Sequence, residues 1–223
     1  MRQIPLPIGI DASRTFETFL TGTNGPAVTH LQAMDPAAAP VYLWGPPGCG
    51  KTHLLQASAH RWQSRGGRAL CLGAGHPLPW QPDEGASLVV LDHCDQLDAD
   101  QQQAAFALFI EATTHGAPVL AAGRVPPIDL PLRDDLRSRL GWGHVFGVVP
   151  LSEAETRSAL RREADRRGIF LSDDVMDYLL TRFARDLKHL MSQLDRLDEF
   201  SLANKRAITV PLLKQMLSEE GAP

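Results

Sequence analysis

Gly45-Pro46-Pro47-Gly48-Cys49-Gly50-Lys51-Thr52 decides how this chain is read, because it satisfies the whole spacing G-x-x-x-x-G-K-[ST] of a phosphate-binding loop. The residue types follow from what a polyphosphate needs. Glycines let the backbone turn its N–H groups onto phosphate oxygens, and Lys51 reaches the β and γ positions. Thr52 offers a hydroxyl to Mg2+, and the helix that follows points its positive end at the anion. Neighbouring text separates such a loop from a ligand-free Gly/Pro turn. Val41-Tyr42-Leu43-Trp44 is short, apolar and β-prone, and Thr52 to Arg65 has helical character. Strand, loop and helix in that order are the setting the motif requires, so a nucleoside phosphate is the expected ligand.

Composition narrows the class. The 223 residues are 43% hydrophobic and 22% charged, ordinary for a globular chain of one large domain or of a medium and a small one. A net charge of −4 leaves any nucleic-acid contact to a local patch. Cys49, Cys71 and Cys94 are too few and too far apart for a disulfide framework or a zinc site. Neither a leader segment nor a run of about 20 apolar residues is present, so no membrane and a cytoplasmic location are expected.

Further strands are expected at Arg68–Leu72, Leu88–Leu91, Pro118–Ala122 and Val145–Val149, alternating with helices at Ala27–Met34 and Asp98–Thr114. That alternation implies an α/β fold with a mostly parallel five-stranded sheet. From Leu151 the text turns helical and more charged. Ser152-Glu153-Ala154-Glu155 reads as a capping box and Ser172 as a second helix cap. A third helix is expected from about Arg185 and a fourth after Pro211, with a possible strand pair only at Ile208-Thr209. The expected organisation is an extended segment over 1–10, an α/β domain over 11–150 and a small all-α domain over 151–223. Trp44, Trp62 and Trp142 are expected in or near cores, and Trp80, in a proline-rich loop, in solvent.

Asp92 ends a continuous apolar run downstream of the phosphate loop, the placement of a carboxylate that holds Mg2+ with Thr52. The position after it, where a second acid would orient an attacking water, is His93; Asp95 lies two residues further on.

The motif order resembles the AAA+ ATPases, and within them the DnaA/Hda family. Thr15-Phe16-Glu17-Thr18-Phe19 with Gly22 and Asn24 is similar to that family's nucleotide-lining box, and Gly50-Lys51-Thr52-His53-Leu54 to its phosphate loop. Pro126-Pro127 follows the sensor-1 strand as it does there, which puts the sensor-1 position at Arg124. Leu136-Arg137-Ser138-Arg139-Leu140-Gly141-Trp142-Gly143 resembles the box with the family's arginine finger, which falls on Arg139. Arg185-Asp186-Leu187-Lys188 resembles the start of the sensor-2 helix. Gln3-Ile4-Pro5-Leu6-Pro7 looks like the pentapeptide with which family members bind the β sliding clamp of DNA polymerase III.

The resemblance implies an AAA+ α/β domain followed by a helical lid, with ADP or ATP and Mg2+ as cofactors. Phe19, Asn24, His53 and Arg185 join the phosphate loop as expected nucleotide contacts. It further implies a partner in DnaA, whose bound ATP Arg139 would help hydrolyse, making the chain a negative regulator of replication initiation. A homo-oligomer is possible on the same ground, since AAA+ sites usually complete at subunit interfaces. No dedicated DNA-binding domain is expected, because the text after the helical region carries none. Two alternatives stay open: a self-assembling ATPase or loader that turns over its own ATP, and a nucleotide-dependent adaptor without catalysis.

Overall fold

The structure is a computed structural model that describes residues 14–36, 38–81, 85–183 and 187–220. The candidate clamp segment Gln3–Pro7 and the candidate nucleotide contact Arg185 lie outside the described residues. The chain divides into two compact units, Met1–Val149 and Pro150–Pro223.

The first unit runs α1 (Gly25–Ala33), β1 (Val41–Trp44), α2 (Lys51–Ser64), β2 (Ala69–Gly73), β3 (Leu88–Asp92), α3 (Ala99–Thr114), β4 (Val119–Gly123), α4 (Asp134–Leu140) and β5 (His144–Gly147). The strands pair in the order β2-β3-β4-β1-β5, every pairing parallel. Alternation along the strands feeds two cores. Val41, Leu43, Leu88, Val90, Leu120 and Ala122 pack with Val28 and Leu31 of α1 and Leu54 and Leu55 of α2. Tyr42, Val89, Leu91, Val119 and Ala121 pack on the other face with Leu108 and Phe109 of α3 and Leu136 and Leu140 of α4. Covering both faces is what makes the strand text continuously apolar.

Parallel strands end on the same edge. β1, β3 and β4 stop at Trp44, Asp92 and Gly123, with Trp44 in register with Gly123. The segments after them therefore gather where ligands bind in open α/β sheets, outside the carboxyl ends of the strands.

Three expectations fail here. Trp142 stands 70% exposed, because the backbone of its neighbours Gly141 and Gly143 packs down against Pro127 and Pro40 and turns the indole outward. Trp80 is buried instead, 8% exposed, and its indole N–H donates to the His76 carbonyl at 3.3 Å. Proline marks irregular backbone, and this loop folds back on the sheet: the Gln101 amide of α3 donates to the Ala74 and His76 carbonyls, each at 3.2 Å. In the second unit Ile208-Thr209 forms no strand; the Thr209 hydroxyl accepts from the Leu212 N–H at 3.4 Å at the start of the last helix.

The second unit is helical: α5 (Glu153–Arg166), α6 (Asp173–Arg182), α7 (Leu187–Asn204) and α8 (Val210–Glu220). Leu160, Val175, Leu179, Leu190, Leu194, Leu197 and Leu213 build its core. Ser152 and Glu155 form the capping box, with Glu155 N–H donating to the Ser152 hydroxyl at 3.3 Å and Ser152 N–H to the Glu155 carboxylate at 2.8 Å. Arg157–Asp177 and Arg161–Asp173 tie α5 to α6 at 2.5 and 2.6 Å, and Arg167 pairs with Asp195 of α7. Such exposed pairs add little beside the leucine core.

Candidate functional site

The phosphate loop joins β1 to α2, and its geometry follows from its glycines. Gly50 precedes the first residue of α2 in the left-handed region at φ 102°. A Cβ there would come 2.6 Å from the Phe19 ring, so the position excludes any side chain. The N–H groups of the first turn of α2 have no helical acceptors and face the loop's concavity, the general anion-binding property of a helix start. Lys51 is buried at 9% exposure, and its ammonium donates to the Gly45 and Pro46 carbonyls at 2.7 and 2.9 Å and to Cys49 Sγ at 3.6 Å. Those contacts aim the ammonium along the loop rather than away from it.

Next to it, the Thr52 hydroxyl donates to Asp92 Oδ2 at 2.7 Å, across the step from α2 to the end of β3. A hydroxyl and a carboxylate oxygen are hard ligands of the kind Mg2+ takes, with waters and nucleotide phosphates completing the shell. Among the described residues no group of three or more His, Cys, Asp or Glu could hold a metal by itself. The residues present thus fit a nucleotide-borne Mg2+, which when bound would neutralise phosphate charge. Asp92 Oδ1 accepts the His93 N–H at 2.8 Å, and the His93 ring lies with Nε2 3.6 Å from Oδ2. His93 is itself left-handed at φ 54°, which turns the chain sharply away after Asp92. Asp95 is committed elsewhere: it accepts the Arg124 N–H at 3.0 Å and pairs with Arg124 Nε at 3.3 Å. Sequence gave no sign of that pairing, since its partners stand 29 positions apart.

The expected nucleotide-lining box packs under the loop. Phe19 is buried against Gly50 and meets the His53 ring edge-on at 5.3 Å. His53 Nε2 lies 2.8 Å from the Thr15 carbonyl and 3.3 Å from the Thr18 hydroxyl; a carbonyl only accepts, so Nε2 carries the proton. Burial holds the His53 pKa below its ordinary value, which keeps the ring neutral at neutral pH. Asn24 is used differently from the expectation. Its amide donates to the Val149 carbonyl at 2.9 Å and accepts the Val149 N–H at 2.8 Å, stitching the start of α1 to the chain beyond β5.

Arg139 stands apart from all of these, on the last turn of α4 and exposed. Its neighbours in the same region are neutralised: Arg137 by Asp134 at 2.6 Å and Arg133 by Asp135 at 2.7 Å. No carboxylate among the described residues pairs with Arg139; its guanidinium lies over the Trp142 ring, 5.7 Å from the centroid. Trp142, expected in or near a core, is thus the exposed aromatic neighbour of Arg139.

A parallel sheet with a phosphate loop after β1 and an aspartate at the tip of β3, followed along the chain by a helical unit, defines the AAA+ class of P-loop proteins. Comparison with known proteins narrows the class. Residues 153–217 match the family described as Hda, lid domain, and residues 10–69 match the bacterial DnaA ATPase domain. Domain III of the Thermotoga maritima replication initiation protein DnaA is similar at TM-score 0.76 and 17% identity, covering 96% of this chain and 99% of that one. AMPPCP-bound DnaA from Aquifex aeolicus is similar at TM-score 0.68 and 20% identity, over 85% of this chain and 66% of that one. A Thermotoga maritima RuvB variant shares the fold at TM-score 0.68 and 16% identity, over 92% of this chain and 71% of that one. With one family match in each unit, the chain is a DnaA/Hda-like AAA+ protein.

Proposed function

We propose that this protein regulates the initiation of replication by driving hydrolysis of ATP held on the initiator DnaA. It binds ADP or ATP at Gly45–Thr52, with Mg2+ on Thr52 and Asp92, and that nucleotide serves to hold its own domain in shape. It docks on the DNA-loaded β sliding clamp through Gln3–Pro7 and offers Arg139 to the γ-phosphate on DnaA. Water attacks that phosphorus, the bond to the bridging oxygen breaks, and ADP, phosphate and a proton leave. The guanidinium meets the charge that spreads onto the phosphoryl oxygens as this happens, which is worth about 10^3 to 10^5 in rate for a finger supplied in trans.

The observation that carries the reading is the contrast between two sites. Arg139 keeps an exposed guanidinium without a carboxylate among the described residues, while the chain's own water-activating positions are His93 and an Asp95 already bound to Arg124. The match of the helical unit to the Hda lid and the AMPPCP bound to the Aquifex relative support it.

The test follows ADP formation from ATP-loaded DnaA with clamp loaded on DNA. Wild type should stimulate, and Arg139→Ala should not; equal stimulation by the two ends the proposal. Deleting Gln3–Pro7 should remove the dependence on clamp. The intact Thr52–Asp92 pair favours a second reading, turnover of the protein's own ATP. That reading requires hydrolysis by the isolated protein that Lys51→Ala abolishes.

A further inference from the structure

We infer that Trp142 is the positioning residue for Arg139: its indole face holds the guanidinium extended and charged, with its N–H donors uncommitted, ready for a partner's phosphate. The inference rests on the reading of Arg139 as a residue acting in trans and assigns the device that makes it competent.

Four arginines fall between the end of β4 and the end of α4, and three are held by carboxylates: Arg124 by Asp95, Arg133 by Asp135 and Arg137 by Asp134. A carboxylate clamp fixes an arginine well but spends its charge and its donors. A phosphate would then have to displace the carboxylate, which costs much of what the new contact returns. An unclamped arginine has the opposite fault. Its long side chain samples many rotamers, and each productive encounter must freeze them. An aromatic face resolves the conflict, because it attracts the plane of the guanidinium and leaves the N–H groups at its rim free. Arg139 is held in this way, with its Cζ 5.7 Å from the Trp142 centroid; Arg133 also lies over a ring, 5.8 Å from the Phe106 centroid, but its guanidinium is committed to Asp135.

The backbone that carries the indole is fixed. The Trp142 backbone N–H donates to the Arg139 carbonyl at 3.3 Å, so the two residues share one turn. A Cβ on Gly143 would fall on the Pro40 carbonyl, and one on Gly141 would come 3.2 Å from Pro127 Cβ. The His144 N–H donates to Pro40 at 2.8 Å, locking the exit into β5. Both flanks of Trp142 are thus seated, and its ring is 70% exposed with the Arg139 guanidinium beside it at the surface. An indole so exposed buries little apolar surface for the fold, and among the described residues its ring meets the Arg139 guanidinium.

The experiment compares wild type, Arg139→Ala, Trp142→Leu and Trp142→Phe in the DnaA-bound ATP assay with DNA-loaded clamp. Alongside it, the Arg139 Nε–H resonance is followed in each folded protein by NMR, assigned by its loss in Arg139→Lys. Trp142→Leu should lower the maximal stimulated rate by about 2- to 30-fold, the span of exposed to desolvated cation–π attraction, at unchanged half-saturating concentration. Trp142→Phe should restore most of it. The Nε–H resonance should be shifted upfield by the ring in wild type and return to the free-arginine position in Trp142→Leu. A wild-type rate in Trp142→Leu, a change confined to half-saturation, or an unmoved resonance overturns the positioning role while Arg139→Ala still abolishes stimulation. Full stimulation by Arg139→Ala overturns the reading of Arg139 and the positioning role with it.

Discussion

Asn24→Asp gives the sharpest test of what Asn24 does, because it exchanges one end of a two-ended contact. The native amide satisfies both backbone groups of Val149 across 125 positions, N–H at 2.8 Å and carbonyl at 2.9 Å, from a side chain only 5% exposed. Asn24→Ala removes two hydrogen bonds worth about 1 kcal/mol each net, and so costs roughly 2 kcal/mol. Asn24→Asp keeps the acceptor for the Val149 N–H but sets a second oxygen against the Val149 carbonyl, which adds repulsion and desolvation of a charge; it should be the worse of the two at pH 7. Protonation repairs it, since a neutral carboxyl donates an O–H to that carbonyl. Its pKa in the folded protein is thus raised above the unfolded value of about 3.9, and the repaired stability is complete below that value and lost as pH rises through the raised one. The assay is urea unfolding read by tryptophan fluorescence. All four tryptophans, at 44, 62, 80 and 142, lie in the first unit, so the signal reports that unit alone. Asn24→Ala within 0.5 kcal/mol of wild type without nucleotide, or Asn24→Asp insensitive to acid, refutes the structural role and returns Asn24 to the ligand.

The same fluorescence titration should show the first unit losing stability between pH 7.5 and 5.5. Burial first, then the nearby His144, lowers the His30 pKa, and burial lowers that of His53, so the unfolded chain takes up protons first as pH falls below about 6.5; an equal urea midpoint at both pH values contradicts this. Gly50→Ala should cost about 2 kcal/mol or more, from a left-handed φ of 102° and a Cβ placed 2.6 Å from Phe19, and a wild-type midpoint would refute the tight packing of ring on loop. Ser152→Ala should cost the second unit about 1 kcal/mol through its capping box; the unit has no tryptophan, so helical circular dichroism must show the shift while fluorescence does not.

Local physics was legible in the sequence, and pairing across the chain was not. Residues 88–91 could be read as a buried parallel strand because both its faces must be apolar, and Asp92 at its tip follows from the same alternation. The loop at Gly45–Thr52 carried its own geometry in its glycines. Strand order had no such local signature: β1 sits between β4 and β5, partners about 80 and 100 positions away. The α4 helix is short, and its text was legible only as a motif, not as an element. The two misplaced tryptophans failed in opposite directions. Trp80 was expected in solvent from its proline-rich loop, which α3 in fact ties down, and Trp142 in or near a core from its apolar character, although it stands between two seated glycines.

Asp95 shows why the charge pattern matters more than the motif count. Read along the chain, it is a carboxylate three positions past Asp92 and so a candidate to activate water. In space it receives both the backbone N–H and Nε of Arg124, and its side chain is only 10% exposed. Both of its oxygens are thereby engaged, Oδ1 with the Arg124 N–H and Oδ2 with Arg124 Nε. It is therefore better suited to fixing the turn after β3 against the end of β4 than to taking a proton. On the phosphate-holding side the contacts stay within the site: Lys51 donates to the Gly45 and Pro46 carbonyls of the loop, and Thr52 donates to Asp92. On the proposed reading such a domain retains its nucleotide. Arg139, which pairs with no carboxylate among the described residues, lies not at that loop but on α4, over an exposed indole. That distribution fits the proposed action on a neighbour's phosphate, the neighbour being the initiator on the first reading and another copy of this chain on the second.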